Sequence, residues 1–121
     1  MVQAPVGIIG LGIMGSAYAT NLLKGGAAVI GHDPASEAQD ALRLAGGAPL
    51  PGPRDVAESA EILLFALPSA KVLEATVEAM LPALGPRHVI AEMSTLSLRA
   101  KEAARERVAA TGAALDRKSV V

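Results

Sequence analysis

Three glycines fall within six residues in Gly10-Leu11-Gly12-Ile13-Met14-Gly15. An apolar run, 6–10, leads into them, and a helical pattern, Ile13 to Lys24, leads out. A strand that passes through G-x-G-x-x-G into a helix opens a βαβ unit. Each glycine then has a physical task. Gly10 permits the tight turn out of the strand, Gly12 lets a pyrophosphate approach the backbone, and Gly15 lets the helix pack closely on the sheet. The free N–H groups around Ile13 and Met14, with Leu11 beside them, face the phosphates at the positive end of the helix dipole. A tight turn that binds nothing is the plainer alternative. The strand before and the helix after favour the phosphate reading.

The rest of the chain repeats the alternation. A second strand is predicted over 28–33, then a helix over Ser36–Ala45 closed by Gly46-Gly47, then a very short third strand within 48–53. Asp55 is expected to cap a helical turn through Ala60. The strongest strand signal is 61–67, followed by a helix that Ser69 caps and that runs to Met80. A fifth strand over 87–92, a helix over 97–110 and a sixth strand over 113–115 complete the pattern. Most strands are continuously apolar, as when helices cover both faces of a parallel sheet. The expected fold is therefore α/β, a Rossmann-type doubly wound parallel sheet in one domain, with strand order 3-2-1-4-5-6. The domain is expected over 1–116, with 117–121 as an unmatched C-terminal tail.

Composition narrows the function. A chain of 121 residues fits one domain, and 51% apolar against 19% charged residues excludes a disordered polymer. No apolar run approaches the roughly 18–20 residues that span a bilayer. There is no cysteine, so disulfides, thiolate metal sites and a cysteine nucleophile are excluded. A net charge of −1 and only two aromatics, Tyr18 and Phe65, argue against nucleic acid as a partner. The N-terminus lacks the basic region of a signal peptide, so a cytoplasmic location is expected.

Asp33 stands 18 residues after Gly15, at the end of the second strand. A carboxylate there accepts hydrogen bonds from the adenosine ribose of NAD and opposes the 2′-phosphate of NADP. The next residue, Pro34, supplies no cation for that phosphate, so NAD is expected over NADP. The alternative is that Asp33 caps the following helix. Leu67-Pro68 and Ser94-Thr95 lie just past strand ends, where open α/β sheets bind ligands. Thr95 offers a hydroxyl to an amide or carboxylate. Ser94 has a second reading as a helix cap, and Pro68 as a helix-start proline. His32 and His88 have no partner at ligand spacing, so no metal site is expected. Lys24 and Lys101 are expected to face solvent. Lys71 lies near the cofactor end, where a solvated lysine is the favoured reading, and Lys118 is given no role.

The segment Val6-Gly7-Ile8-Ile9-Gly10-Leu11-Gly12-Ile13-Met14-Gly15 resembles the opening of the β-hydroxyacid dehydrogenases, a group that includes 3-hydroxyisobutyrate and 6-phosphogluconate dehydrogenases. Phe65-Ala66-Leu67-Pro68 resembles the family's fourth-strand end, whose Leu-Pro backbone lies along the cofactor. Glu92-Met93-Ser94-Thr95-Leu96-Ser97 resembles its Asp-Met-Ser-Thr segment, which touches nicotinamide and substrate. Gly112 to Asp116 resembles the approach to its sixth strand. The resemblance implies an NAD(P)-binding domain of an oxidoreductase that moves hydride between nicotinamide and a small hydroxyacid. It assigns cofactor contacts to Gly10, Leu11, Gly12, Ile13, Met14, Gly15, Asp33, Leu67, Pro68 and Thr95, and substrate contacts to Ser94 and Thr95. Departures are Glu92 for Asp, Leu98-Arg99 where a proline is usual, Val72 where some members have Asn, and an end without the family's substrate loop. The helical second domain and its acid/base lysine are not in the sequence, so no catalytic residue is expected and the chain alone is expected to be inactive. A non-catalytic nucleotide-binding module is the alternative, and an imine reductase, which would prefer NADP, a more distant one. An uncovered sixth-strand edge leads to an expectation of self-association.

Overall fold

A computed structural model describes residues 4–117, except for the side chain of Arg117. Six parallel strands form one sheet: β1 (Val6–Ile9), β2 (Val29–His32), β3 (Ala48–Pro49), β4 (Ile62–Phe65), β5 (Val89–Glu92) and β6 (Ala114–Arg117). Their order is β3-β2-β1-β4-β5-β6, as the sequence predicts. Strand side chains alternate between faces, and neighbouring isoleucines show it. Ile8 packs with Leu11, Ala19, Val29 and Leu42 under α1 (Ile13–Lys24) and α2 (Ser36–Ala45). Ile9 joins a larger cluster around Leu63, Phe65, Val77 and Val108, under α3 (Pro53–Ser59), α4 (Ala70–Met80) and α5 (Leu98–Ala109). Phe65 is fully buried there, a burial that contributes about 1.5–3 kcal/mol.

The strands are shorter than the apolar runs that encode them. The run 61–67 yields a ladder only over Ile62–Phe65. Leu67 has left the ladder and gives its N–H to Ser94 Oγ at 2.7 Å. Ser69 caps α4, its Oγ accepting from the Val72 N–H, as expected. The expected Asp55 cap is corrected. Gly52 is the N-cap of α3 and Pro53 opens the helix, so Asp55 lies inside the first turn. Proline suits that position because its missing N–H would have no helical partner.

His88 is fully buried at the sheet's opposite end and serves as a brace. Its Nε2 donates to Ala57 O at 2.7 Å and its Nδ1 accepts from the Gly85 N–H at 3.1 Å. These bonds fix the C-terminus of α3 to the start of β5, so His88 is structural. At the other end of the chain, β6 takes in Arg117, while the rest of the expected tail, 118–121, lies outside the described residues. Among the described residues no helix is long and apolar enough to cross a membrane.

Candidate functional site

Strand register collects the candidate loops at one edge of the sheet. Ile9 pairs with His32 and with Phe65, and Phe65 pairs with Glu92. The four strands therefore end level, and Gly10, Asp33, Ala66 and Met93 each begin a loop on the same side. The strand order reverses between β1 and β4. Ligands of open α/β sheets bind at such a switch point, beyond the carboxyl ends of the strands.

The glycine loop is built from close approaches. Gly10 has φ +96, and a Cβ on it would overlap the Ala66 carbonyl, so only glycine suits the turn. A Cβ on Gly15 would overlap the Gly10 carbonyl oxygen, so the first turn of α1 lies directly on the loop. Gly12 differs, because a Cβ there would meet nothing within 4 Å. It is the N-cap of α1, it offers no side-chain cap, and the first turn holds no acidic residue. The opening N–H groups of a helix lack intrahelical acceptors. Here they face an open surface at the positive end of the helix dipole. Ile13 is 97% exposed beside them, Met14 is half-buried and Leu11 is buried.

Asp33 is tied to this loop. Its Oδ2 accepts from the Leu11 N–H at 2.8 Å, and its Oδ1 from the Ala35 N–H at 2.9 Å. The N-cap of α2 is Ala35, so Asp33 is not the helix cap of the alternative reading. Both carboxylate oxygens are held in place, and each keeps a lone pair for a further donor.

A cleft of ≈ 330 Å³ opens beside Asp33, between the end of β2 and the start of α4. Its walls include Ile9, Pro34, Leu67, Val72 and Thr76, with the exposed Lys71 at its edge. The sequence places single residues here without showing that they line one mostly apolar cleft.

The second pair of loops is joined in the interior. Ser94 is buried, and its Oγ accepts the Leu67 N–H, while the cap of α5 is Ser97. The cap reading of Ser94 is thereby replaced. Thr95 and Pro68 are exposed and Leu67 is buried. Glu92 is fully buried, with Oε1 accepting from the Ser94 N–H at 3.0 Å and Oε2 at 3.4 Å from Lys101 Nζ. Lys101 is 1% exposed, which corrects the expectation that it faces solvent. The signal was present: Lys101, Ala104 and Val108 form the inner stripe of α5 at helical spacing. Lys24 does lie exposed. Among the described residues no group of His, Asp or Glu is arranged to hold a metal ion.

Comparison with known proteins agrees with this geometry. The model of the NAD binding domain of 6-phosphogluconate dehydrogenase matches residues 5–116. An NAD-dependent L-serine dehydrogenase of Pseudomonas aeruginosa is 32% identical over 95 residues, which is 76% of this chain and 32% of that protein. The human mitochondrial 3-hydroxyisobutyrate dehydrogenase is 40% identical over 68 residues, 56% of this chain and 20% of that protein. Among solved structures, a Mycobacterium tuberculosis 3-hydroxyisobutyrate dehydrogenase with L-serine superimposes with a TM-score of 0.91 at 23% identity, covering 99% of this chain and 41% of that one. A Streptomyces aurantiacus imine reductase gives 0.86 at 26% identity, covering 93% and 40%. The chain thus spans about a third or less of the curated relatives it matches and about two fifths of the solved ones. A glycine loop, an acid at the end of β2 and a family match that runs from β1 into β6 lead to one conclusion: the chain belongs to the NAD-binding domain family of 6-phosphogluconate dehydrogenase.

Proposed function

We propose that the chain binds NAD across the carboxyl ends of β1, β2, β4 and β5, as the cofactor half of a dehydrogenase acting on small hydroxyacids. The observation that carries this reading is the Leu11–Asp33 bond, which sets a carboxylate beside an uncapped helix N-terminus. The pyrophosphate lies over Gly12 and meets the N–H groups of Ile13 and Met14. Gly10 and Gly15 shape that surface. The adenosine ribose hydroxyls donate to Asp33, and the adenine enters the apolar cleft next to it. Leu67 and Pro68 line the path toward the nicotinamide, and Thr95 meets its amide end. Ser94 and Thr95 form one side of the substrate position. NAD supplies hydride transfer at the nicotinamide ring; the protein supplies orientation.

NAD should bind more tightly than NADP. Asp33 puts negative charge where NADP carries its 2′-phosphate, and Glu37 adds another in the first turn of α2. Fluorescence or calorimetric titration with both cofactors tests this. Tighter NADP binding would instead support the imine reductase reading, whose fold this chain shares. Asp33→Ala should bring the two affinities together by removing the repulsion and the ribose contact at once.

Self-association belongs to the same proposal. Strand β6 pairs with β5 on one side only among the described residues. Open strand edges favour association. Sedimentation velocity should show dimers or larger species, and a monodisperse monomer at high concentration overturns this part.

A further inference from the structure

The site described so far leaves one buried charged group without a task. Lys101 and Glu92 are both essentially inaccessible, and their charged atoms lie 3.4 Å apart. That separation satisfies an ion pair, yet among the described residues neither Lys101 Nζ nor Glu92 Oε2 has a hydrogen-bond partner. Moving two charges out of water is costly, and such a pair contributes little to stability compared with apolar residues of similar size. Its connections suggest a different role. Glu92 Oε1 holds the Ser94 N–H, and Ser94 Oγ holds the Leu67 N–H. A continuous path therefore runs from α5 through the end of β5 to the loop after β4. It joins the two loops that, on the reading above, flank the nicotinamide half of the cofactor.

We propose that Lys101 is a positioning residue: its charge orients Glu92, and Glu92 with Ser94 locks the Leu67-Pro68 and Ser94-Thr95 loops in register for the nicotinamide end of NAD. Lys101 touches neither cofactor nor substrate. Without its charge, the Glu92 carboxylate is left buried with no cation beside it among the described residues, and it turns toward water. The Ser94 N–H then loses its acceptor and the loop loosens. The glycine loop and Asp33 lie on the other side of the switch point and have no bond to this network among those described. Leu67 also borders the cleft assigned to adenine, so the adenosine half should feel Lys101 through that wall alone and much less than the nicotinamide half.

This inference rests on the proposed NAD site, and a pair of ligands separates the two. ADP-ribose carries the adenosine, the pyrophosphate and a second ribose but no nicotinamide. Calorimetric titration of the 121-residue chain with NAD and with ADP-ribose should show that both bind. Lys101→Met should weaken NAD about tenfold, which corresponds to about 1.4 kcal/mol, and leave ADP-ribose within twofold. The double variant Glu92→Gln with Lys101→Met has no buried charge and keeps an acceptor for Ser94, so it should regain most of the NAD affinity. It also serves where the single variant does not fold. Amide hydrogen exchange gives a ligand-free reading. In Lys101→Met the Ser94 and Leu67 amides should lose protection together while Leu63 and Ile90 keep theirs, and the double variant should restore both. Equal weakening of both ligands, a double variant that binds ADP-ribose normally but still fails on NAD, or unchanged protection at Ser94 and Leu67 overturns the role of Lys101. A wild-type chain that binds neither ligand overturns the NAD site and this inference with it.

Discussion

Gly12→Val should abolish NAD binding and leave the domain folded. The two methyl groups would stand where the pyrophosphate approaches the N–H groups of α1. Nothing of the protein lies within 4 Å of a Cβ at this position, so the fold should not resist the change. The backbone at Gly12 has φ −72 and ψ −156, a conformation open to residues with a side chain. A loss of at least a hundredfold in affinity is expected, about 2.8 kcal/mol, with little change in the urea midpoint. Gly15→Val is the contrasting case. Its side chain would drive into the Gly10 carbonyl, and the variant should be destabilised or unfolded. Circular dichroism with titration separates the two outcomes. A folded Gly12→Val that binds NAD as before removes the pyrophosphate from this loop.

This contrast shows what could be read before the fold was known. The G-x-G-x-x-G spacing identified all three glycines, because turn geometry and helix packing each forbid a Cβ at a fixed offset from the strand. It also assigns each a task, the turn to Gly10, ligand approach to Gly12 and helix packing to Gly15, but it does not show which atoms would meet a side chain at each. That depends on what lies across the loop, and Ala66 is 56 residues away from Gly10. The sheet order was legible because continuously apolar strands alternating with helices leave few right-handed arrangements.

Local polar chemistry was less legible. Ser94 and Ser97 are equally good caps by composition, and only the structure separates them. Ser97 caps α5 while Ser94 Oγ reaches across to Leu67. Asp33 was found at its expected place, but its bond to Leu11 joins residues 22 apart and had no local signature. Lys101 was misjudged for a related reason. Lysine is seldom fully buried, so residue type outweighed its place on the inner stripe of α5. The apolar cleft beside Asp33 has walls from β1, β2, α3 and α4, and exists only once they are assembled.

The 121-residue polypeptide by itself should not turn over hydroxyacids. Hydride transfer needs a held nicotinamide, a substrate beside it, and a group to exchange the hydroxyl proton. On the proposed reading the chain meets the first need in part and supplies only Ser94 and Thr95 toward the second. For the third, the described lysines are poorly placed. Lys24 is on the exposed side of α1, Lys101 is enclosed with Glu92, and Lys71 is exposed at the edge of the cleft assigned to adenine. A positioned acid or base contributes about 10²–10⁴ in rate. Holding the reactants together is worth effective molarities up to about 10⁵–10⁸ M. With both contributions missing, NADH formation from 3-hydroxyisobutyrate, glycerate or L-serine should stay at background. A saturable rate that vanishes in Thr95→Ala would overturn this expectation and direct attention to Lys71. Activity that appears only when a segment supplying a lysine is added would show that the chain contributes cofactor binding while the proton chemistry comes from elsewhere.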